Sequence, residues 1–300
     1  TSGKTNKRNR VFSEQAKKYN IPIIYVNNVG MQDNGKTIYT FDGDSCVYLS
    51  NGNLVSFGGI IPFEEELFVF NFTNINSTWQ VIQNNTVTIG NTPDRFPEED
   101  DIGTIFFAIQ YGITQFIKRF NIEKIVIGAS GGIDSSVCAA LFHTVIPSNN
   151  LFLINMPTQF NSNTTKNIAK QLADNLKCNY QIIPIEESVT LTNNQIIINS
   201  INSNISNNKD NPIVKLNELG LENVQARDRS ARILAGAASA LGGVFTCNAN
   251  KSEMTVGYTT IYGDLAGFMA PLADLWKTQV YELGKWINNN IFPKNMIPQE

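Results

Sequence analysis

Three hundred residues correspond to about two domains, and a hydrophobic share of 42% is ordinary for a globular enzyme. The net charge of −3 leaves no basic footprint for nucleic acid. No apolar run is long enough to span a bilayer and no signal peptide opens the chain, so a soluble, cytoplasmic protein without nucleic-acid or membrane partners is expected.

In chain order, a basic segment leads into a helix and then into residues 21–26, a continuous apolar run with the pattern of a buried strand. Asn51-Gly52 lies between two strand-like stretches, 45–49 and 54–57, and signals a hairpin. Residues 67–72 form a further expected strand. From 73 to 101 the chain is polar, with Pro93 and Pro97, and reads as a linker with room for one short strand. Residues 1–72 thus read as the end of an α/β layer.

A regular pattern then begins. An amphipathic helix is expected over 102–120, a buried strand over 125–127, a Gly-rich turn, and a helix over 135–144. Next come a strand over 151–155 and a helix over 165–176, whose Ile168, Leu172 and Leu176 fall four residues apart on one face. A strand over 181–185, a helix over 226–241 ended by Gly242-Gly243, a strand over 244–247 and a helix over 274–288 complete the set. Strands alternating with helices predict an α/β fold with a doubly wound parallel sheet. Ligands bind beyond the carboxyl ends of such strands, here 128–136, 155–159, 186–187 and 248–253. The Asn/Ser/Ile-rich stretch 193–211 reads as a solvated insertion or loop.

Cys46, Cys138, Cys178 and Cys247 show no zinc-type spacing and read as small buried hydrophobes. His143 is the only histidine, which excludes a zinc site built on several histidines; a core or helix-surface role fits its place in an apolar helix.

The chemistry concentrates in Gly128-Ala129-Ser130-Gly131-Gly132-Ile133-Asp134-Ser135-Ser136, which follows a strand and opens a helix. Glycines there let the backbone approach an anion, and the helix start favours phosphate. The serines offer hydroxyl donors. Asp134 beside a phosphate calls for a cation between them, hence Mg²⁺. The stretch is neither a Walker A loop nor GxGxxG. A plain capped turn would need one glycine and one cap, far less than is present.

Residues 130–136 resemble the pyrophosphate loop of the N-type ATP pyrophosphatases, which include NAD synthetase, the synthetase domain of GMP synthetase, asparagine synthetase and tRNA-thiolating enzymes. The loop alone does not choose among them. Glu222-Asn223-Val224-Gln225-Ala226-Arg227-Asp228-Arg229 is similar to the ENxQARxR motif of NAD synthetases. Asn250-Lys251-Ser252-Glu253 with Val256-Gly257-Tyr258 resembles their NKSE and GY segment, and Tyr262-Gly263-Asp264 and residues 270–281 continue the match.

The resemblance implies an adenine nucleotide α-hydrolase-like fold that amidates deamido-NAD to NAD through an adenylated intermediate, releasing AMP and pyrophosphate. It places the ATP phosphates on Gly128, Ala129, Ser130, Gly131, Gly132, Ile133, Asp134 and Ser135. It gives Mg²⁺ to Asp134 and Glu253, with Glu253 also against deamido-NAD. Asn223, Arg227 and Arg229 would contact deamido-NAD or phosphate, and Lys277 would lie near the ATP phosphates. Asn248 stands where the family usually has Thr and would hydrogen-bond ATP. Two rival readings are another N-type enzyme such as GMP synthetase and a non-catalytic adenine-nucleotide-binding module. The lack of a basic patch speaks against a tRNA substrate, and Glu253 as a second carboxylate against the non-catalytic module.

The N-terminal portion resembles the closing part of a nitrilase-like glutaminase, in residues 22–30, Phe41-Asp42-Gly43-Asp44-Ser45 and Asn51-Gly52. That family uses a Glu–Lys–Cys triad whose Cys would precede residue 1; Cys46 does not match it by position, and no catalytic residue is assigned within the chain. Ser2 and Lys4 match a glutamine-contacting segment. The family's chain also continues beyond residue 300. The expectation is therefore a fragment: residues 1–72 closing a glutaminase domain, 73–101 a linker, and 102–300 a synthetase domain truncated at its C-terminus. The whole protein would draw ammonia from glutamine and assemble as a homo-oligomer.

Overall fold

The computed structural model describes residues 5–33, 38–56, 63, 65, 71–75, 78–82, 102–158, 163–202, 215–292 and 295–298. They fall into two units, Thr1–Phe116 and Ile117–Glu300. Ser2, Lys4 and most of the expected linker lie outside the described residues, as do residues 67–70 of the strand expected over 67–72.

In the first unit, helix α1 (Thr5–Tyr19) turns Phe12 and Ala16 toward Cys46 and Tyr48, and Ala16 and Tyr48 are fully buried. Strands β1 (Ile23–Tyr25), β4 (Cys46–Tyr48) and β5 (Leu54–Ser56) make an antiparallel sheet in the order β1-β4-β5. Strands β2 (Val29–Asp33) and β3 (Ile38–Asp42) pair antiparallel, as do β6 (Asn71–Ile75) and β7 (Thr78–Ile82). The stretch read as a linker from 73 onward therefore begins with parts of two paired strands, not with one short strand. The hairpin expected at Asn51-Gly52 joins β4 to β5, with Gly52 at φ +86°, a left-handed conformation that glycine adopts without strain. The apolar run 21–26 is not the buried strand expected from its continuity. Ile23 and Tyr25 pack on the small core, but Ile24 and Val26 are 55% and 79% exposed. A strand covered on one face alternates in burial whatever its sequence.

Helix α2 (Ile102–Arg119) buries Phe106, Ile113, Phe116 and Ile117 along one face, as its 3.6-residue pattern predicts. The division between the units falls within this helix.

The second unit holds the parallel sheet. Its strands are β8 (Ile125–Gly128), β9 (Leu151–Asn155), β10 (Asn179–Ile182) and β11 (Val244–Phe245), in the order β10-β9-β8-β11 and all parallel. Chain order reverses between β8 and β11, so the crevice beyond their carboxyl ends is the topological switch point. Among the described residues no strand of the first unit joins this sheet.

Helix α3 (Ile133–His143), buried from Ser135 to Phe142, packs on β8 and β9 and against α4 (Asn163–Leu176) and α9 (Lys277–Asn290). A second cluster joins Val126, Ile154, Met156 and Ile185 to Val189 of α5 (Glu186–Asn202), to Ile233 and Leu234, and to Ala238 of α7 (Ala235–Leu241). Gly128 sits close under this cluster: an added Cβ would lie 3.2 Å from Met156 Cε and 3.3 Å from Leu234 Cδ1, side-chain tips that would have to give by a few tenths of an ångström. All four cysteines are free, and burial raises the thiols of Cys46, Cys138 and Cys178, the last to about 11. His143 is half-buried, with Ser148 Oγ 3.4 Å from its Nδ1 and Phe292 beside its ring.

Three expectations are corrected. Residues 193–202 are helical, as part of α5, while 203–214 lie outside the described residues. The acidic first turn (Glu186, Glu187) and the buried anchor Val189 carry a helix that the Asn-rich composition hides. The helix expected over 226–241 starts earlier, as α6 (Glu218–Arg227) capped by Asn217, and passes through a π-helical segment, Asp228–Leu234, before α7. Ser230 Oγ lies within reach of Ala226 O (3.2 Å) and Tyr262 O (2.9 Å), so a side chain enters the ladder where it widens. The stretch 248–253 is not only a strand end: it opens helix α8 (Lys251–Val256).

The π segment is tied to α5 by a charged cluster. Arg232 donates to both Asp228 oxygens at 2.7 Å, and Ser188 Oγ donates to Asp228 Oδ2 at 2.8 Å. Burial alone would raise the Asp228 carboxyl, but the hydrogen bonds from Arg232 and Ser188 leave it below its ordinary value. A depressed folded-state value adds stability above the ordinary carboxylate range, lost as pH falls through the folded value. Asp228→Asn should therefore cost about 1 kcal/mol near pH 7. The melting-temperature gap to wild type should shrink below about pH 4; a gap that persists or widens there would contradict this origin.

Candidate active site

The switch point is built from the loop after β8 and the segment after β11. Gly132 precedes α3 in extended backbone (φ −86°, ψ 166°), and no side chain caps the helix. The first N–H groups of an uncapped helix are ready donors for an anion. The loop is braced from within: Gly132 N–H donates to Ser130 Oγ at 3.2 Å, Ser130 and Ser135 hydroxyls meet at 3.1 Å, and Ser135 and Ser136 Oγ both donate to Gly132 O. In this structure the Ser135 and Ser136 hydroxyls hold the shape of the turn. Ala129 is pinned twice, its N–H to Ile154 O at 2.9 Å and its carbonyl by Asn155 Nδ2 at 2.6 Å.

Across the reversal, Asn248 Nδ2 donates to Gly128 O at 3.0 Å while its Oδ1 accepts from the buried Thr246 hydroxyl at 2.8 Å. Asn248 thus stitches β11 to β8 at the crevice. Ile133 begins α3, and Asp134 follows in its first turn.

Asp134 meets two donors. Its Oδ1 accepts from Asn250 Nδ2 at 2.9 Å, and its Oδ2 pairs with the Lys277 ammonium. Asn250 is fully buried and caps α8: its Oδ1 accepts from Glu253 N–H at 3.1 Å, and its own N–H donates to Glu253 Oε2 at 3.1 Å. Asp134 and Glu253 are therefore each one hydrogen bond from the same residue, although 119 positions separate them in sequence. Lys277 begins α9, and its N–H donates to Ser252 Oγ at 3.0 Å.

Asn223 and Arg227 of α6, and Arg229 of the π-helical segment, make contacts of their own. Asn223 Oδ1 accepts from Thr260 Oγ1 at 2.7 Å, and exposed Arg227 reaches Ile261 O at 3.2 Å. Arg229 hydrogen-bonds only neutral acceptors among the described residues, Met156 O and Gln225 Oε1. Burial lowers its guanidinium from its ordinary value, and Asp228 opposes the shift. A half-buried cation facing neutral oxygens suits an anionic ligand.

Loop, Asn248, Asp134, Glu253 and Lys277 are thus one constellation, with Asn223, Arg227 and Arg229 linked to the segment 260–262 and to Met156. Sequence reasoning missed Asn250, Asn155 and Thr246 as members. Asn250 carried a legible signal, since Asn three residues before Glu is the spacing of a capping box. So did Asn155, a polar residue ending an apolar strand. Among the described residues no group of three or more His, Cys, Asp and Glu side chains gathers for a metal. Two carboxylates suit Mg²⁺, which takes one or two of them and completes its shell with phosphate and water.

Residues 105–300 match the family model described as NAD synthase. The chain is similar to the glutamine-dependent NAD(+) synthetase of Synechocystis sp., at 30% identity over 98% of this chain and 48% of the relative. It spans about half the length of the curated relatives it matches. The structure is similar to that of the glutamine-dependent NAD+ synthetase from Acinetobacter baumannii in complex with ADP (TM-score 0.76, 27% identity, 99% of this chain, 51% of that one). It is also similar to the NH3-dependent NAD synthetase from Campylobacter jejuni in complex with nitrate (TM-score 0.53, 28% identity, 66% and 76%).

Proposed function

The chain belongs to the NAD synthase family, and on that premise we propose that, within the complete protein, its second unit adenylates the nicotinate carboxylate of deamido-NAD with ATP and passes it to ammonia. The carboxylate oxygen attacks the α-phosphorus, the bond to the β-phosphate oxygen breaks, and pyrophosphate leaves. Ammonia then attacks the acyl carbon, the bond to the AMP oxygen breaks, and NAD and AMP result. The reading rests most on one observation: an uncapped helix start lies beside a carboxylate pair joined through Asn250.

The loop from Gly128 to Ser135 holds the triphosphate against the start of α3. Lys277, beside Asp134, adds positive charge at the departing pyrophosphate. Arg227, Arg229 and Asn223 hold anionic or amide groups of deamido-NAD. Asp134 and Glu253 would hold Mg²⁺, which when bound supplies charge neutralisation at the phosphates. No side-chain nucleophile is required, since orientation and electrostatics carry the rate. Residues 1–72 then belong to a nitrilase-like glutaminase domain, joined through 73–101 to the synthetase domain, and the full-length protein takes ammonia from glutamine. Release within a closed path keeps ammonia unprotonated and nucleophilic. No helix among the described residues is long and apolar enough to cross a membrane. We place the protein in the cytoplasm, as a homo-oligomer.

The direct test supplies the full-length protein with ATP, Mg²⁺, deamido-NAD and either ammonium or glutamine. AMP, pyrophosphate and NAD should appear in equal amounts with either nitrogen source. AMP release that does not depend on deamido-NAD would refute the substrate, and failure with glutamine alone would refute the glutaminase assignment.

A further inference from the structure

We infer that Asn250 is a positioning residue that sets the spacing of the Asp134 and Glu253 carboxylates, so that the site takes up its divalent cation as one unit. The inference rests on the proposed metal role of those two carboxylates. Its observation is separate: one fully buried amide side chain spans from the first turn of α3 to the first turn of α8.

Each polar group of Asn250 that faces these carboxylates has a distinct task. The side-chain oxygen caps α8 by accepting from Glu253 N–H at 3.1 Å, and the backbone N–H holds Glu253 Oε2 at 3.1 Å. These two bonds fix where the Glu253 carboxylate stands. The side-chain nitrogen donates to Asp134 Oδ1 at 2.9 Å, which fixes one oxygen of the other carboxylate. Lys277 holds Asp134 Oδ2. Capping alone does not require asparagine. Ser, Asp and Asn cap comparably, and Ser followed three residues later by Glu is itself a capping box. Asparagine carries its acceptor and its donor on two separate atoms, so its oxygen can cap the helix while its nitrogen reaches the carboxylate. Asp would place a like charge against Asp134, and Ser would be too short to reach it. The choice of Asn thus answers the demand of the carboxylate pair.

Asn250→Ser separates the two roles in the full-length protein. It keeps a capping acceptor and the backbone bond to Glu253, and it withdraws the side-chain nitrogen that reaches Asp134. Mn²⁺ added alone is followed by loss of its free electron paramagnetic resonance signal, alongside the Mg²⁺ concentration giving half-maximal AMP release and the melting temperature. Metal affinity should fall about 10- to 100-fold, the usual cost of removing a partner that orients a metal ligand, with melting within a few degrees of wild type. In an Asp134→Ala background the same substitution should cost no further affinity, because its effect runs through Asp134. Asn250→Thr, which also caps, is the second variant should the first misfold. Wild-type affinity in a folded variant, or an affinity loss that only tracks lost folding, would overturn the inference. If wild type takes up no Mn²⁺, or Asp134→Ala takes it up like wild type, the metal reading itself fails and the inference with it.

Discussion

Asp134→Asn in the full-length protein should lower AMP and pyrophosphate release by about 100- to 1,000-fold, the range found when one preorganised electrostatic group is removed from a reacting centre. The loss should be equal with ammonium and with glutamine, since both routes share the adenylation step. The geometry gives the reason beyond metal binding. Asp134 offers two acceptors, one to Asn250 Nδ2 and one to Lys277. The introduced amide has one acceptor oxygen and one NH₂, so it would turn a donor toward either another donor or an ammonium. The site would lose a charge and one of its two supports. Asp134 is at the helix start rather than in the core, so melting should shift by only a few degrees. A folded variant retaining more than about a tenth of wild-type release would exclude Asp134 from the machinery.

That Asp134 belonged to a candidate site was legible in the sequence, because a glycine-rich turn between an apolar strand and a helix, followed by an acid, has few structural reasons to exist. The alternation over 125–247 likewise carried the parallel sheet, since hydrophobic period and Gly punctuation are local properties. What Asp134 touches was not legible. Asn250 and Lys277 lie 116 and 143 residues away, and only closure of the sheet at the β8/β11 reversal brings them together. The strand 21–26 failed for the complementary reason: an apolar run reports what could be buried, while burial depends on which elements cover it. The π-helical segment was missed because what accompanies it, the reach of Ser230 to Tyr262 O, is again a tertiary contact. The assigned roles of Asn223, Arg227 and Arg229 came through resemblance, since spacing alone does not distinguish such a helix from a solvated one.

Gly131 and Gly132 are adjacent and identical in the sequence, and opposite outcomes are expected from replacing them. Gly131 has φ +88°, where an L side chain is strained by about 1–2 kcal/mol. An added Cβ would also lie 2.2 Å from Thr165 O and 2.9 Å from Thr165 C, backbone atoms in the first turn of α4 that cannot swing aside. Either the loop or the start of α4 must move. Gly131→Ala should therefore destabilise the unit by about 2–4 kcal/mol, and a displaced loop should cost about 100-fold in kcat/KM for ATP, the penalty of misplacing bound groups by an ångström. Gly132 has ordinary extended angles, and its nearest neighbour to an added Cβ is Ser130 Oγ at 3.4 Å, the tip of a small side chain. Gly132→Ala should stay within about 1 kcal/mol of wild type, a slightly poorer cap being offset by a less flexible unfolded chain, and should leave the KM for ATP within a few-fold. Denaturant melts and ATP-dependent AMP release on both variants measure the contrast. If both are tolerated, the close approach of the loop to α4 is not maintained in solution. If both are equally damaging, the turn needs flexibility as such, and the left-handed geometry at Gly131 is not what selects glycine there.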